Sequence, residues 1–471
     1  MTMAWSNAPY ELLLPLWRQW LAEDAQLTGQ WPLLDRWLKR QLPFVKNHGK
    51  PTHRKKVQPL DLATQLMLSA AMFSAMRYLQ LAAALEHSYR AQTLALDWSA
   101  WDSNWSAAEV HKISPTAFWY WVTLRNTTDA PAPGALRDAE SRKAWFLRAQ
   151  QSLAGSDNEG SDNEGADISL GQSQHVASEL LWHGLRPQWW DLLQARAQAS
   201  EWSAQDLNGF VAMQSQSPPL WLRPQGEMTA EDLLPLLSGE GVDVVLDSEG
   251  LYALGGTGIT QTSSYKNGWV EIQDRASQHI AACVAARQGD KVWDACAGAG
   301  GKSLAIAARM NNKGMVLATD LQSYKLDELK RRAKRAGLYN IRTFEWQGRE
   351  ALRLPAEAAR QQGFDWVLVD APCTSAGTWR RNPDARWRFN ALDTSELLDL
   401  QKAILLSASK AVRPGGYLVY ATCSWQVSEN ENQVDDFLAC QPAFSLASRT
   451  LVGAPAWNAD TMFVAVLKRA N

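Results

Sequence analysis

From about residue 281, this 471-residue sequence alternates between short apolar runs rich in β-forming residues and longer segments with helical spacing. Strand–helix alternation of this kind is typical of an open, doubly wound sheet of mostly parallel strands. We therefore predict an α/β, Rossmann-like domain over residues 281–471. Its predicted strands cover residues 291–295, 315–319, 341–344, 365–369, 417–421 and 462–467, and its clearest helices cover residues 324–336 and 394–412.

The sequence before residue 281 divides into three further parts. Residues 1–126 predict a helical domain, because apolar residues recur at three-to-four spacing, with helices near 12–20, 33–42, 60–85 and 118–124. Residues 127–170 are poor in apolar residues and contain an acidic tandem repeat at 155–164, which predicts a flexible linker. Residues 171–280 predict a small α/β unit with strands at 219–223 and 242–246 and a helix that Thr229 caps.

Composition limits the class of protein. Apolar residues make up 46% of the chain and charged residues 20%, as in globular proteins. The first twenty residues lack the pattern of a signal peptide, and the apolar stretch 62–76 is too short to cross a bilayer. Five scattered cysteines, an odd count without zinc-ligand spacing, favour neither a disulfide framework nor a metal site. We expect a monomer in the cytoplasm, with no membrane partner.

Charge and tryptophan are both unevenly distributed. The net charge is −2, yet basic residues cluster at 39–56, 325–335 and 380–388. Any one cluster is typical of a solvated surface, whereas three together favour a partner rich in phosphate. Sixteen of the 24 tryptophans lie within the first 225 residues, where we interpret them mainly as core residues rather than as platforms for bases.

A glycine-rich turn follows the first predicted strand of the α/β domain. Gly298, Gly300 and Gly301 allow the backbone to approach a ligand closely, and the next helix presents free amides at its N-terminus. The spacing matches neither the dinucleotide fingerprint nor the P-loop. Asp320 ends the second strand, where a carboxylate can accept hydrogen bonds from ribose hydroxyls.

Two cysteines each follow a later strand: Cys373 in Asp370-Ala-Pro-Cys and Cys423 in Thr422-Cys-Ser. The carboxyl ends of neighbouring parallel strands converge on one crevice, so both thiols should lie near the glycine-rich turn. This combination predicts a reaction that needs a sulfur nucleophile beside a bound small molecule. The residues alone do not decide which thiol attacks.

In their order, these motifs resemble those of the RNA cytosine-C5 methyltransferases, specifically the bacterial 16S rRNA branch with a NusB-like helical N-terminal domain. The resemblance covers residues 205–471 and is weak before residue 170. The motifs that carry it are Gln273-Asp-Arg-Ala-Ser-Gln278, Asp294–Lys302, Asp370-Ala-Pro-Cys373, Arg380-Arg-Asn-Pro-Asp384 and Thr422-Cys-Ser424.

The resemblance implies S-adenosylmethionine as cofactor and a role for each site residue. Cys423 would be the nucleophile toward C6 of cytosine, and Cys373 would assist product release. Asp370 would contact the base close to the cofactor, and Lys302 would favour the thiolate form of a nearby cysteine. The implied cofactor-binding residues are Cys296, Ala297, Gly298, Ala299, Gly300, Gly301, Lys302, Asp320, Gln347 and Asp370.

The sequence departs from the family pattern at several of these positions. Gly298 and Ala299 replace Ala-Pro in the glycine-rich turn, Ser375 replaces a glycine, and Gln347 stands where an aspartate usually binds the adenine amino group. A glutamine carbonyl can still accept that hydrogen bond.

RNA is the expected partner. Arg380, Arg381 and Arg386, with Arg388, are predicted to hold phosphates beside a flipped-out cytosine. Trp379 and Trp387 either stack on bases or anchor this loop to the sheet. Small-subunit rRNA is the favoured substrate, and the alternatives are a tRNA substrate or a catalytically silent ribosome-assembly factor.

Overall fold

A computed structural model describes residues 10–45, 60–153, 170–254 and 258–471. The N-terminal part is helical. Its helices are α1 (Tyr10–Ala22), α2 (Leu34–Gln41), α3 (Leu62–Arg77), α4 (Leu79–Ala91), α5 (Trp98–Asn104), α6 (Pro115–Asn126), α7 (Ala139–Leu153), α8 (Leu170–Trp182), α9 (Trp190–Ala199) and α10 (Ala204–Met213). Tryptophan fills their shared core: Trp17, Trp20, Trp37, Trp119 and Trp121 are fully buried, which confirms a packing role for these five.

Two predictions for this part are wrong. The single helix predicted over 60–85 is broken at Tyr78, whose backbone leaves the helical region, and α3 and α4 meet at a 63° bend. The flexible linker predicted over 127–170 contains α7, which buries Trp145 and Phe146 in the N-terminal core. Its apolar residues recur at helical spacing, but the polar composition around them concealed that pattern. The acidic repeat at 155–164 lies outside the described residues.

Among the described residues, no single helix is long and apolar enough to span a membrane. The bent pair of α3 and α4 passes the same length-and-composition test when the two helices are taken together.

The next part is a small antiparallel sheet. It contains β1 (Leu220–Pro224), α11 (Ala230–Gly239), β2 (Val244–Asp247), β3 (Gly250–Ala253), α12 (Ser263–Lys266) and β4 (Val270–Ile272), with strand order β2-β3-β1-β4. Thr229 caps α11 as predicted, in a capping box with Asp232. β3 and β4 were not predicted, and residues 171–213, predicted within this α/β unit, instead contain most of α8 and all of α9 and α10.

The C-terminal part is a doubly wound α/β domain, as predicted. Its elements are α13 (Arg275–Cys283), β5 (Lys291–Asp294), α14 (Gly301–Arg309), β6 (Met315–Asp320), α15 (Ser323–Arg335), β7 (Ile341–Glu345), α16 (Ala356–Ala359), β8 (Phe364–Asp370), α17 (Ala391–Ser409), β9 (Val412–Thr422), α18 (Glu431–Cys440), β10 (Phe444–Val452) and β11 (Met462–Arg469). The strand order is β10-β11-β9-β8-β5-β6-β7. The five strands from β9 to β7 are parallel, and β11 pairs antiparallel with β9 and β10.

Candidate active site

The carboxyl edge of the parallel sheet collects the predicted site residues. Asp294, Asp320 and Asp370 are the last residues of β5, β6 and β8, and Cys423 follows β9 directly. Register explains their convergence, because Asp294 pairs with Ala318 and Asp370 with Ala421, so the strands end at nearly the same level. The sheet thus brings three carboxylates and a thiol to one crevice.

The glycine-rich turn lies between β5 and α14. Gly300 adopts a φ of +88°, and a Cβ there would lie 2.4 Å from Leu329, so only glycine fits without displacing the core. Gly298 has a φ of +56° and open space beside it. Its amide donates to Asp320 Oδ2 over 3.0 Å, and Arg332 donates to the Ala299 carbonyl over 2.8 Å. The turn is held on both sides and leaves room for a ligand.

The charges at this turn fit a cationic ligand such as S-adenosylmethionine, whose sulfonium and ammonium groups are both positive. Three carboxylates face two lysines, Lys302 and Lys325. Asp294 is 1% exposed; one carboxylate oxygen accepts from Ser303 Oγ, and the other has no partner among the described atoms. Burial raises the pKa of Asp294 to about 7. A nearby cation would offset the cost of ionising it.

Lys302 forms an ion pair with Asp370 beneath the crevice. Lys302 Nζ lies 2.6 Å from Asp370 Oδ2, and Lys302 is only 9% exposed. Burial opposes the lysine charge, but the carboxylate outweighs it and raises the pKa of Lys302 above its ordinary value. The site therefore contains a permanent ammonium group next to the carboxylate that ends β8.

The two motif cysteines are in contact. Cys373 Sγ lies 3.3 Å from Cys423 Sγ, and Ser375 Oγ lies 3.4 Å from Cys423 Sγ. Hydrogen bonding from Cys373, assisted by Ser375 and the Lys302 charge, lowers the pKa of Cys423 despite its burial. The same hydrogen bond, together with burial and the Glu429 charge, raises the pKa of Cys373. The Ser375 hydroxyl and the Lys302 charge lie on the Cys423 side of the pair and favour the thiolate of Cys423.

Residues 281–467 match the model of a protein family described as 16S rRNA methyltransferase RsmB/F. The C-terminal domain is thus similar to this RsmB/F family. A probable ribosomal RNA small subunit methyltransferase B from Bacillus subtilis (strain 168) is 35% identical over 254 residues, which cover 52% of this chain and 55% of that protein. The chain spans about half the length of the curated relatives it matches.

Two solved structures share the fold. The crystal structure of PH0851 aligns with a TM-score of 0.63 at 20% identity, covering 87% of this chain and 91% of that one. A methyltransferase homolog protein from Pyrococcus horikoshii aligns with a TM-score of 0.52 at 21% identity, covering 62% and 98%. At these identities the likeness concerns the fold alone.

The sequence did not reveal a buried carboxylate that holds the Cys373 loop of the C-terminal α/β domain. Glu429, fully buried, accepts from the Thr374 amide over 2.8 Å and from Thr374 Oγ1 over 2.6 Å. Gln401, on α17, donates to Glu429 and to the Pro372 carbonyl, both over 3.0 Å. The residues on either side of Cys373 are therefore fixed. The sequence does show Glu429 six residues after Cys423, but this glutamate lies in an ordinary polar segment, and nothing around it indicates a role at the site.

Ser375, where the family pattern has glycine, adopts a φ of +57°. This left-handed conformation is about 1 kcal/mol less favourable for a residue with a Cβ than for glycine. In exchange, its hydroxyl reaches Cys423 Sγ, a contact that glycine cannot make. This departure from the family pattern adds a polar group to the thiol pair.

The prediction that Arg380 and Arg386 hold RNA phosphates is wrong. Each is only 1% exposed, so no phosphate can reach the guanidinium group. Arg386 donates to the carbonyls of Gly184 and Trp379. The acceptors of Arg380 are the carbonyls of Met213, Gln216 and Ala459 and the side chain of Asn458.

Arg381 is also committed within the protein. It lies 2.9 Å from Asp274 Oδ2 and 3.3 Å from Asp460 Oδ2, although its side chain keeps 29% of its surface exposed. These two carboxylates already balance its charge, so its predicted role in RNA binding is not supported. Arg388 likewise pairs with Asp384 over 2.9 Å.

Both tryptophans of this loop are packed inside the protein, but the prediction that they anchor it to the sheet is wrong for Trp387, which packs in the core of the N-terminal helices. Trp379 is fully buried, and Trp387 Nε1 donates to the Met76 carbonyl on α3 over 2.7 Å. From the other side, Arg77 of α3 donates to the Arg380 carbonyl over 2.6 Å. We call residues 379–389 the interdomain segment, because they connect the N-terminal helices to the C-terminal α/β domain.

The remaining predicted residues lie near the turn. Gln347 is exposed just past β7, at the same edge as Asp320, whose carbonyl accepts from the Trp346 amide. Cys296 is half-buried and packs against the core, and desolvation raises the pKa of its thiol well above the ordinary value, as expected for a packing residue within the turn. In the described ranges, no group of three or more His, Cys, Asp or Glu side chains is arranged to hold a metal ion.

Proposed function

We propose that this chain transfers a methyl group from S-adenosylmethionine to C5 of a cytosine in RNA, and that small-subunit rRNA is its substrate. One observation carries the proposal: the 3.3 Å contact between two unequal thiols beside the Lys302–Asp370 ion pair. The edge of the sheet that holds them also holds the glycine-rich turn. The match to the RsmB/F family and the names of the curated relatives support the same activity.

The chemistry explains why such a thiol is needed. C5 of cytosine is a poor nucleophile until a group adds at C6. The Cys423 thiolate bonds to C6, and the displaced electron pair moves toward N3, where a proton shared with the Asp370 carboxyl group stabilises the ring. S-adenosylmethionine supplies the electrophilic methyl group that C5 accepts. C5 then loses its proton to a base, the S–C6 bond breaks, and the thiolate leaves.

Each remaining residue has a proposed part in this sequence of events. Cys373 assists the release of Cys423 from the product, because its sulfur is in contact with the leaving sulfur. Lys302 holds Asp370 in position through their ion pair. The turn from Cys296 to Lys302 would hold the methionine part of the cofactor, Asp320 its ribose, and Gln347 its adenine.

Two alternatives differ in substrate or in class. A tRNA substrate would use the same chemistry, and the site does not distinguish it. A silent scaffold for ribosome assembly would have no use for a Cys423 with a lowered pKa or for a Glu429 network that fixes the second thiol. We therefore favour an active enzyme, working in the cytoplasm without a metal.

The proposal is tested with purified protein, labelled S-adenosylmethionine and rRNA. Cys423→Ala should reduce methyl transfer to background, whereas Cys440→Ala, which removes an exposed thiol outside the site, should leave the rate unchanged. Full activity of Cys423→Ala would contradict the mechanism. Wild-type protein that binds the cofactor but never methylates RNA would favour the silent scaffold.

The substrate is identified by bisulfite sequencing of total RNA from cells with and without the gene. We expect one or a few 5-methylcytosines of small-subunit rRNA to disappear. If 5-methylcytosine disappeared only from tRNA, the proposed chemistry would stand and the substrate would be tRNA.

A further inference from the structure

A groove runs from the Cys373 loop to the start of α2. Its volume is about 500 Å³, within the range of about 300–1,000 Å³ typical of small-ligand sites. One wall is the start of α2, with Leu34 and Arg36, and the opposite wall is the beginning of α17, with Leu397. Cys373 and Ser375 line the end nearest the thiols. We call this cavity the α2 groove.

Arg36 is the unpaired cation of the α2 groove. It is exposed and forms no hydrogen bond or ion pair with any residue in the described ranges. The other charged lining groups are engaged. Asp35 pairs with Lys39, Asp384 pairs with Arg388, and Asp393 accepts from the Asn390 side chain at the N-terminus of α17. A phosphate entering the groove would therefore meet one free guanidinium group.

The groove also offers surfaces for a base. Phe389 is half-buried, with its ring held edge-on by Trp189 and Trp379 at centroid distances of 6.0 and 5.6 Å. Leu33, 45% exposed, provides an apolar surface on the α2 side. Asn382 and Thr378 add hydrogen-bonding groups to the lining of the groove. An aromatic ring, apolar side chains and a few polar groups are what a stacked nucleobase requires.

We propose that the α2 groove binds the nucleotide next to the target cytosine, with Arg36 on its phosphate. This inference rests on the proposed function. The groove is continuous with the crevice that holds the two thiols, because Cys373 lines its end. An RNA strand that places its target cytosine in the crevice must leave through an adjoining space, so the neighbouring nucleotide is the expected occupant of the groove. The N-terminal domain thus supplies one wall of the substrate site, and the interdomain segment holds that wall in place.

The first test compares two arginines of the same helix. Arg36→Ala should raise KM for RNA about tenfold and leave the affinity for S-adenosylmethionine unchanged, because one phosphate contact is lost. Arg40→Ala removes a similarly exposed charge from α2 outside the groove and should have no such effect. Equal KM values for wild type and Arg36→Ala, or equal increases in both variants, would overturn the proposal.

A second test locates the flanking nucleotide directly. A 4-thiouridine placed on the 5′ or the 3′ side of the target cytosine is photocrosslinked to the full-length protein and mapped by mass spectrometry. We expect one of the two positions to crosslink within residues 33–36 or 382–397. Crosslinks only outside those residues would refute the groove. RNA that is never methylated would refute the proposed function instead, so the two failures are distinguishable.

Discussion

The carboxyl edge of the sheet and the interdomain segment contain similar residue types but use them differently. At the sheet edge, charged and polar groups are buried in pairs that face an open crevice, as Lys302 and Asp370 do. In the interdomain segment, Arg380 and Arg386 are buried against backbone carbonyls that belong mostly to other parts of the chain. A cluster of arginines therefore indicates a binding surface only where the guanidinium groups stay accessible to solvent.

The same difference explains how much could be predicted. Strand ends at a parallel sheet converge by geometry, so Asp294, Asp320, Asp370 and Cys423 could be placed together from the sequence. The arginines of the interdomain segment have no such constraint. Whether they face solvent or a second domain depends on how α3 and α8 pack against the loop, and no local pattern encodes that packing.

The helical parts show a similar limit. Apolar spacing located most helices, but it missed α7, because a segment with many polar residues can still bury one narrow face. Glu429 and Gln401 were also missed. These two residues matter because they contact each other and the residues beside Cys373. They are 28 residues apart in sequence, so the contacts exist only in the folded domain.

The largest expected effect tests the interdomain segment. Arg380→Met should lower the free energy of unfolding by about 3 kcal/mol, since the buried Arg380 side chain loses four hydrogen bonds and the buried Ala459 carbonyl loses its donor. Denaturant unfolding measures this loss. The salt dependence of RNA binding should not change, whereas loss of a phosphate contact would reduce its log–log slope by about 1.

Arg331→Ala is the matched control, because Arg331 is an exposed residue of α15 that pairs only with its neighbour Glu328 among the described residues. We expect the free energy of unfolding of the Arg331→Ala variant to equal that of the wild type. If Arg380→Met left the stability unchanged and reduced the salt dependence of RNA binding, Arg380 would be an RNA-binding residue. The interdomain segment would then not differ from a binding surface in the way described above.

A smaller effect tests the sheet edge. Glu429→Gln should reduce the methylation rate about tenfold, because an amide cannot accept all four hydrogen bonds that the carboxylate receives. It should also lower the pKa of Cys373, since the nearby negative charge helps to raise it. In a Cys423→Ser background, alkylation of Cys373 should then begin at lower pH.

Glu396→Gln, an exposed change on α17, is the control and should alter neither the rate nor the alkylation profile. If Glu429→Gln slowed the reaction without moving the alkylation profile, Glu429 would have only a structural role.

The central claim is that Cys423 bonds to the cytosine ring and that Cys373 is needed to release it. The most direct measurement is a denaturing gel of substrate RNA incubated with S-adenosylmethionine and the Cys373→Ala protein. We predict a covalent protein–RNA band that is lost in the Cys373→Ala/Cys423→Ala double variant. An undiminished band in the double variant, or no band from an active Cys373→Ala protein, would contradict the account.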